Sequence, residues 1–243
     1  FCNIYSSFSH RAHDQIFHDV ALQGLPVTIC LDRGGLVGED GATHHGCYDM
    51  AVYRTLPGTV IAAPRNESEL KSMMYTASLA AEGPFIIRYP RGYGEGTPWK
   101  EEGFEMMEPG KGELLLKGSD IAVIAAGPSA NRALEAAEEI REKTGWNPTI
   151  YNIRYIKPID TVLIKEAASK HRCIVTVEDG CITGGLYGAV TETISCDSHP
   201  AHVIPVGIPD RYVSQGTQEE LREECGLTAG EIAKTLMAER EKI

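Results

Sequence analysis

The chain has 243 residues, which at roughly 100 to 200 residues per domain suits one large domain or two small ones. Its 42% hydrophobic and 23% charged content is ordinary globular usage and excludes a disordered, collagenous or coiled-coil chain. Acidic residues outnumber basic ones 34 to 23, for a net charge of −11, so no global field gathers a nucleic acid and any phosphate site must be local.

Phe1 to Tyr5 reads as an apolar strand end without an initiator Met, a basic region or a signal-peptide core, so the sequence is read as a piece of something longer. From Phe1 to Gly92, apolar runs alternate with helical stretches, the pattern of a mostly parallel sheet covered by helices. Residues 9–23 predict an amphipathic helix burying Ala12, Ile16, Phe17, Val20 and Ala21, with Arg11, Asp14 and His18 along one edge. Arg11 and Asp14 are spaced for an i, i+3 ion pair, His10 and His18 fall on the solvated side, and His13 falls on the apolar face. Strands are predicted at 26–31, 59–62 and 84–89, and Asn66 with Glu69 opens a helix to about Ala81. Residues 93–118 are glycine-rich, acidic and without a sustained period, so they read as a linker with a hairpin near 110–117. From 119 to 243 a second α/β unit follows, with strands at 121–126, 149–153, 173–177 and 202–206 and helices at 130–144, 160–169 and 184–194. Gly226 ends one C-terminal helix, and Thr228 with Glu231 starts the last. No apolar run approaches the ~18 residues of a membrane span. The seven cysteines are odd in number and lack a C-x-x-C pair, as reduced, mostly buried thiols of a cytoplasmic protein do.

Asp32 to Cys47, DRGGLVGEDGATHHGC, carries the most chemistry. It leaves the carboxyl end of a strand, where open α/β sheets bind ligands. Its five glycines let backbone approach a ligand, and Arg33 can fork onto a phosphate or carboxylate. Asp40, His44, His45 and Cys47 lack the spacing of a metal set, so no metal ligand is assigned within this chain. Arg88-Tyr-Pro-Arg91-Gly follows the last strand at the same sheet edge, where Arg91 can join Arg33 as an anion clamp. Glu178-Asp-Gly and Gly184-Gly185 follow a strand of the second unit and are given a structural or interface role.

Tyr5-Ser-Ser-Phe8, Arg11 with Asp14-Gln15, His18-Asp-Val-Ala, Leu31-Asp-Arg33, Gly38-Glu-Asp40-Gly-Ala-Thr-His44-His-Gly, Arg88-Tyr-Pro-Arg91-Gly and Lys157-Pro-Ile-Asp160 together resemble the 1-deoxy-D-xylulose-5-phosphate synthase family over essentially the whole chain. The resemblance implies a pyrimidine-binding domain at 1–92 and a transketolase-type C-terminal domain at 119–243. It implies a cytoplasmic homodimer that uses thiamine diphosphate and Mg2+ to join pyruvate, with loss of CO2, to D-glyceraldehyde 3-phosphate. Carried over by position, Phe8 stacks on the cofactor's aminopyrimidine, and Tyr5, Arg11, Asp40 and His44 line the substrate pocket. Arg33 and Arg91 hold the phosphate, and His44 is the proton donor, with Asp40 orienting it or holding a substrate hydroxyl. His10, His13, Cys47 and Tyr48 depart from the family's usual residues. The resemblance places the family's activating glutamate before the Tyr5-Ser-Ser-Phe8 strand and its diphosphate and metal motif in an N-terminal domain, neither of which these residues include, so the chain by itself is expected to be inactive. The alternatives are half of a split transketolase, the β subunit of a 2-oxo-acid dehydrogenase, and a non-catalytic dimerisation module.

Overall fold

A computed structural model describes residues 1–80, 82–195 and 201–243. Its strands are β1 (Cys2–Tyr5), β2 (Thr28–Asp32), β3 (Val60–Ala62), β4 (Phe85–Arg88), β5 (Glu113–Leu116), β6 (Ile121–Ala125), β7 (Thr149–Asn152), β8 (Tyr155–Lys157), β9 (Cys173–Cys181) and β10 (His202–Ile208). Its helices are a helical run α1 over 6–21, α2 (Asp49–Tyr53), α3 (Glu67–Ala80), α4 (Ser129–Thr144), α5 (Thr161–Lys170), α6 (Leu186–Ser195), α7 (Gln218–Glu224) and α8 (Ala229–Arg240).

The elements form two sheets of the same plan, ordered β1-β2-β4-β3-β8 and β10-β9-β6-β7-β5. Each has four parallel strands and one antiparallel strand at an edge. The central strands β4, β6 and β9 are buried throughout, as apolar runs covered on both faces must be. One of the antiparallel strands ties the halves together. β8 lies far along the chain yet closes the first sheet against β3. β5 falls in the stretch expected to be a linker, and instead of folding into a hairpin it pairs with β7. A short glycine-flanked apolar segment pairs wherever an open edge offers unsatisfied N–H and C=O groups, and here that edge belongs to a distant strand. One core runs through both halves, joining Ile29, Leu31 and Ile86 of the first sheet to Ile124 and Ile174 of the second and to Leu186 of α6.

Local signals account for most helix ends. Asn66 Oδ1 accepts from the Glu69 N–H (2.9 Å) at the start of α3, Asp160 Oδ1 accepts from the Leu163 N–H (3.0 Å) at α5, and Thr228 accepts from the Glu231 N–H (3.3 Å) at α8. Gly226 follows α7 with φ 72°. The first helix departs from its expected form. It begins at Ser6, three residues early, passes through a 3-10 turn at His10–Ala12 and finishes as a π turn over Ile16–Ala21. The changes of winding rotate the face set by a regular 3.6 period. Ile16 is buried, Phe17, Val20 and Ala21 are only half-buried, and His10, expected in solvent, is wedged between the Tyr48 and Tyr53 rings. Burial lowers the His10 pKa.

Candidate active site

The carboxyl ends of β1 and β2 and the residues after β4 meet at one edge of the first sheet. β2 ends at Asp32, and the chain leaves it through Arg33, whose backbone adopts the left-handed region with φ 57°. The loop that follows is cinched at its neck. Gly35 and Gly46 exchange backbone hydrogen bonds at 2.8 Å, and the Gly34 N–H donates to the Tyr89 carbonyl (2.9 Å). The glycines serve a different neighbour from the expected ligand. A Cβ at Gly34 would lie 2.8 Å from the Arg88 guanidinium, one at Gly35 would lie 2.2 Å from Asp179, and one at Gly46 would lie 2.3 Å from the Arg33 carbonyl. These glycines leave room for Arg88 and the Arg33 carbonyl within the first half and for Asp179 from the second. His45 fastens it further, since its Nδ1 accepts from the Val37 N–H (3.1 Å), which leaves Nε2 to donate to the Ser214 carbonyl (3.1 Å). The loop is therefore fixed except at its tip, where Glu39, Asp40, Ala42 and Thr43 are exposed.

An aromatic cluster lies beside that tip. The Tyr5 and Phe8 rings are 5.0 Å apart, Phe8 and His44 5.2 Å, and Tyr5 and His44 6.3 Å. Phe8 and His44 meet edge to face, an arrangement that ring quadrupoles favour. The Arg33 guanidinium lies 3.9 Å from the Tyr5 ring centre and that of Arg11 lies 5.8 Å from Phe8, so two cations flank the cluster. Arg11 thus faces Phe8, while Asp14, its expected partner, pairs with His18 at 2.9 Å. His44 Nδ1 shares a hydrogen bond with Thr43 Oγ1 (2.9 Å). Asp40 turns the other way, to Arg91 (3.3 Å), whose Nη1 also donates to the Val37 carbonyl (3.0 Å). Tyr5, Phe8, Arg11, Arg33 and His44 thus form one contact set, and Asp40 of the loop with Arg91 after β4 forms a second. Both phosphate-holding candidates carry a carboxylate partner, Asp32 for Arg33 and Asp40 for Arg91. The Arg91–Asp40 pair, 45% and 48% exposed, is worth at most about 1 kcal/mol, so an incoming dianion can displace it, whereas the Arg33–Asp32 pair is half-buried.

Beneath the site lies a buried charge cluster that the sequence reading did not single out. Arg88 is only 3% exposed, and its Nε donates to Asp49 (2.9 Å) while its Nη2 donates to the Asp179 carbonyl (2.9 Å). Ser6 Oγ donates to the same Asp49 oxygen (2.9 Å), and Asp179 Oδ1 accepts from the Leu36 N–H (3.2 Å). Next to Asp179, Glu178 accepts from the Leu186 (2.7 Å) and Tyr187 (2.8 Å) N–H groups, capping α6. Burial nevertheless pushes the Glu178 pKa up to about 7, against the opposing pull of those hydrogen bonds and of Arg88. The expected interface role of Glu178-Asp-Gly is what the contacts display. The available signal was Asp49, an acid inside the apolar run CYDMAVY, because an acid buried there needs a buried cation.

The six described cysteines are free, and Cys30, Cys47, Cys173 and Cys181 are buried; Cys196 lies outside the described residues. Among the described residues, no group of three or more His, Cys, Asp or Glu could hold a metal ion, and no helix is long and apolar enough to cross a membrane.

Residues 1–95 match the family model described as "Transketolase, pyrimidine binding domain" and residues 110–232 match "Transketolase, C-terminal domain". The chain is 48% identical over 241 residues to the 1-deoxy-D-xylulose-5-phosphate synthase of Bacteroides thetaiotaomicron, covering 99% of this chain and 37% of that protein. It is 44% identical over 240 residues to the synthase of Dictyoglomus turgidum, covering 99% of this chain and 38% of that protein. The chain thus spans a little over a third of the length of these curated relatives. Among solved structures, the inactive beta4 tetramer of a split-gene transketolase superposes with a TM-score of 0.85 at 29% identity, covering 97% of this chain and 74% of that one. A Pichia stipitis transketolase mutant, 19% identical with a TM-score of 0.76 over 98% of this chain and 33% of its own, shares the fold. The chain therefore belongs to the thiamine-diphosphate-dependent transketolase family and corresponds to the C-terminal portion of the 1-deoxy-D-xylulose-5-phosphate synthases.

Proposed function

We propose that this chain is the acceptor-binding part of a 1-deoxy-D-xylulose-5-phosphate synthase, with residues 1–92 as the pyrimidine-binding domain, 93–118 as a connection and 119–243 as the C-terminal domain. The observation that carries the reading is the Tyr5, Phe8 and His44 cluster flanked by Arg33, beside a loop tip whose Asp40 pairs with Arg91. Half-buried Phe8, with one edge against His44 and another neighbour in Tyr5, is a platform that fits a flat aminopyrimidine. Bound thiamine diphosphate supplies the electron sink that decarboxylating a 2-oxo acid requires.

The remaining work falls to the chain's own side chains. Arg33 and Arg91 take the acceptor's phosphate, each guanidinium exchanging its carboxylate for a dianion with charge-assisted hydrogen bonds. His44, with Nδ1 held by Thr43, presents Nε2 to the acceptor's carbonyl oxygen and delivers the proton that the new hydroxyl needs. Tyr5 and Arg11 wall the pocket, and Asp40 returns Arg91 to its resting position or takes a substrate hydroxyl. On the family resemblance, the reading assigns the diphosphate and Mg2+ to the segment present in the longer relatives, and activity requires that segment. A cytoplasmic location and a homodimer complete the proposal, the first supported by the free buried thiols and the second by family membership alone.

The test is Arg91→Ala in the full-length protein. It should raise KM for glyceraldehyde 3-phosphate at least tenfold more than KM for pyruvate, the effect of losing one charged contact of about 2 kcal/mol or more. Equal effects on the two constants would remove Arg91 from the phosphate site. The 29% identity to a split-gene transketolase supports a second reading, half of a transketolase, and pyruvate-dependent CO2 release by the completed enzyme separates the two.

A further inference from the structure

Leu36 and Val37 are buried, 0% and 1% exposed, in a stretch of loop outside every helix and strand. Backbone groups buried there still need partners, and four different side chains supply them. The Leu36 N–H donates to Asp179 Oδ1 (3.2 Å), and its carbonyl accepts from Gln218 Nε2 (2.7 Å). The Val37 N–H donates to His45 Nδ1 (3.1 Å), and its carbonyl accepts from Arg91 Nη1 (3.0 Å). Side chains from both halves of the chain thus converge on two consecutive residues, and one of those side chains is Arg91.

Arg91 therefore has two partners of different kinds. Asp40, 48% exposed, is the one that a ligand can displace. The buried Val37 carbonyl stays, and it sets where the guanidinium stands while the carboxylate is exchanged. On its far side the carbonyl has only Gly38, whose φ of 100° is a conformation that leaves the chain free to pivot. What fixes Val37 is the bond on its near side, to His45. That ring is 4% exposed and reaches from the Val37 N–H to the Ser214 carbonyl (3.1 Å), in the segment between β10 and α7. Because an N–H only donates and a carbonyl only accepts, the imidazole carries its proton on Nε2 and both nitrogens are occupied. Nothing of His45 is left for a substrate.

We infer that His45 is a positioning residue for the acceptor's phosphate: it fixes Val37, whose carbonyl holds Arg91 in place. The inference rests on the phosphate role given to Arg91 above. It divides the work between adjacent histidines. His44 faces the Tyr5 and Phe8 rings and serves the reacting carbonyl, whereas His45 faces away from them, toward Val37 and Ser214, and serves the phosphate through the backbone. A histidine that only filled the neck of the loop would cost stability without preferring one substrate. One that acts through Arg91 affects the phosphorylated acceptor alone.

The test uses the full-length protein with thiamine diphosphate and Mg2+ and compares His45→Leu, His45→Gln and Arg91→Ala. Leucine removes both hydrogen bonds, whereas glutamine keeps an acceptor and a donor on one carbon, as the imidazole does. His45→Leu should raise KM for glyceraldehyde 3-phosphate roughly fivefold, the effect of one lost hydrogen bond. Turnover and KM for pyruvate should stay within about twofold, as should every constant of His45→Gln. Added to Arg91→Ala, His45→Leu should raise the acceptor KM no further, since both act through one carbonyl. Amide exchange over residues 36–41 should quicken in His45→Leu and not in His45→Gln, a readout independent of turnover. His45→Met, with a flexible side chain and at most a weak acceptor, replaces His45→Leu if the latter does not fold. Equal rises in the two KM values, an undiminished effect in the Arg91→Ala protein, or a glutamine variant as impaired as the leucine one would overturn the inference. A selective defect in Arg91→Ala with none in His45→Leu would overturn it while leaving the phosphate role of Arg91 standing. An unchanged acceptor KM in Arg91→Ala would overturn that role, and the inference with it.

Discussion

Arg88 and Arg91 are three residues apart in one motif, and the structure gives them opposite surroundings. Arg88 is sealed at the junction of the two halves, 3% exposed and bonded to Asp49 and to the Asp179 carbonyl. Arg91 stands beside the loop tip with its side chain 45% exposed, paired to an Asp40 that is 48% exposed. The pairing chemistry is the same in both, yet the energetics differ by burial. A charge that has lost its water depends on its partner, whereas a solvated one exchanges partners at little cost. The junction is built to stay closed, and the edge above it is built to trade a carboxylate for a ligand.

The strongest way to break this contrast is Arg88→Met. It leaves Asp49 buried without its cation, and the chain should lose about 3 to 5 kcal/mol in urea unfolding. Arg91→Ala should lose less than about 1 kcal/mol in the same measurement. Comparable losses would mean that Arg91 is as structural as Arg88, and the loop tip would then be scaffold.

Glu178 sharpens the comparison through pH. Its folded pKa of about 7 lies above the ordinary 4.5, so between those values the folded chain keeps a proton that the unfolded chain has lost. Stability contributed by this group is full below pH 4.5 and falls as pH rises toward 7, by about 3 kcal/mol in total. Glu178→Gln should flatten that part of the stability profile in thermal melts from pH 5 to 8, and an unaltered slope would place the titration elsewhere.

The parallel sheets were legible because β2, β4, β6 and residues 173–177 of β9 are mostly apolar runs, a local signal that tertiary contacts do not alter, although β9 runs on through Glu178-Asp-Gly, which the sequence placed after the strand. β5 and β8 were not, because nothing in their own residues names a partner strand that is distant in the chain or belongs to the other half. The site residues stood out as charged and aromatic residues at strand ends, and Tyr5, Phe8 and His44 do come together. The purpose of the glycines did not, since a close approach to Arg88 or Asp179 leaves no mark in the loop itself. The first helix failed for a related reason. Its π turn shifts the buried face, and a 3.6-residue period has no means of registering that shift.

His44→Ala probes the open edge without touching the junction. His44 bonds a neighbouring exposed threonine and meets the Phe8 ring edge to face, so its loss should lower the melting temperature by no more than about 2 to 4 °C, the shift that about 1 kcal/mol gives at this size. Turnover in the full-length enzyme should fall roughly 100-fold or more, the size expected for a missing proton donor. A loss of turnover joined to a larger drop in stability would make His44 a packing residue of the Tyr5 and Phe8 cluster.

The smallest effect should come from the strap between the two regions. Gln218→Ala removes hydrogen bonds to the Leu36 and Arg91 carbonyls. The Leu36 carbonyl sits in the buried neck of the loop and the Arg91 carbonyl near its surface, so the first is left with less water to replace its donor. A stability loss of about 1 kcal/mol follows, the usual worth of one such bond. The functional change should be larger than that figure suggests for one substrate only. Release of the loop on the side of Arg91 weakens the hold on a phosphate, so KM for the phosphorylated acceptor should rise severalfold while KM for the 2-oxo acid stays put. If both constants move together, the strap braces the whole pocket, and the open edge is less independent of the closed junction than the exposure of Arg91 implies.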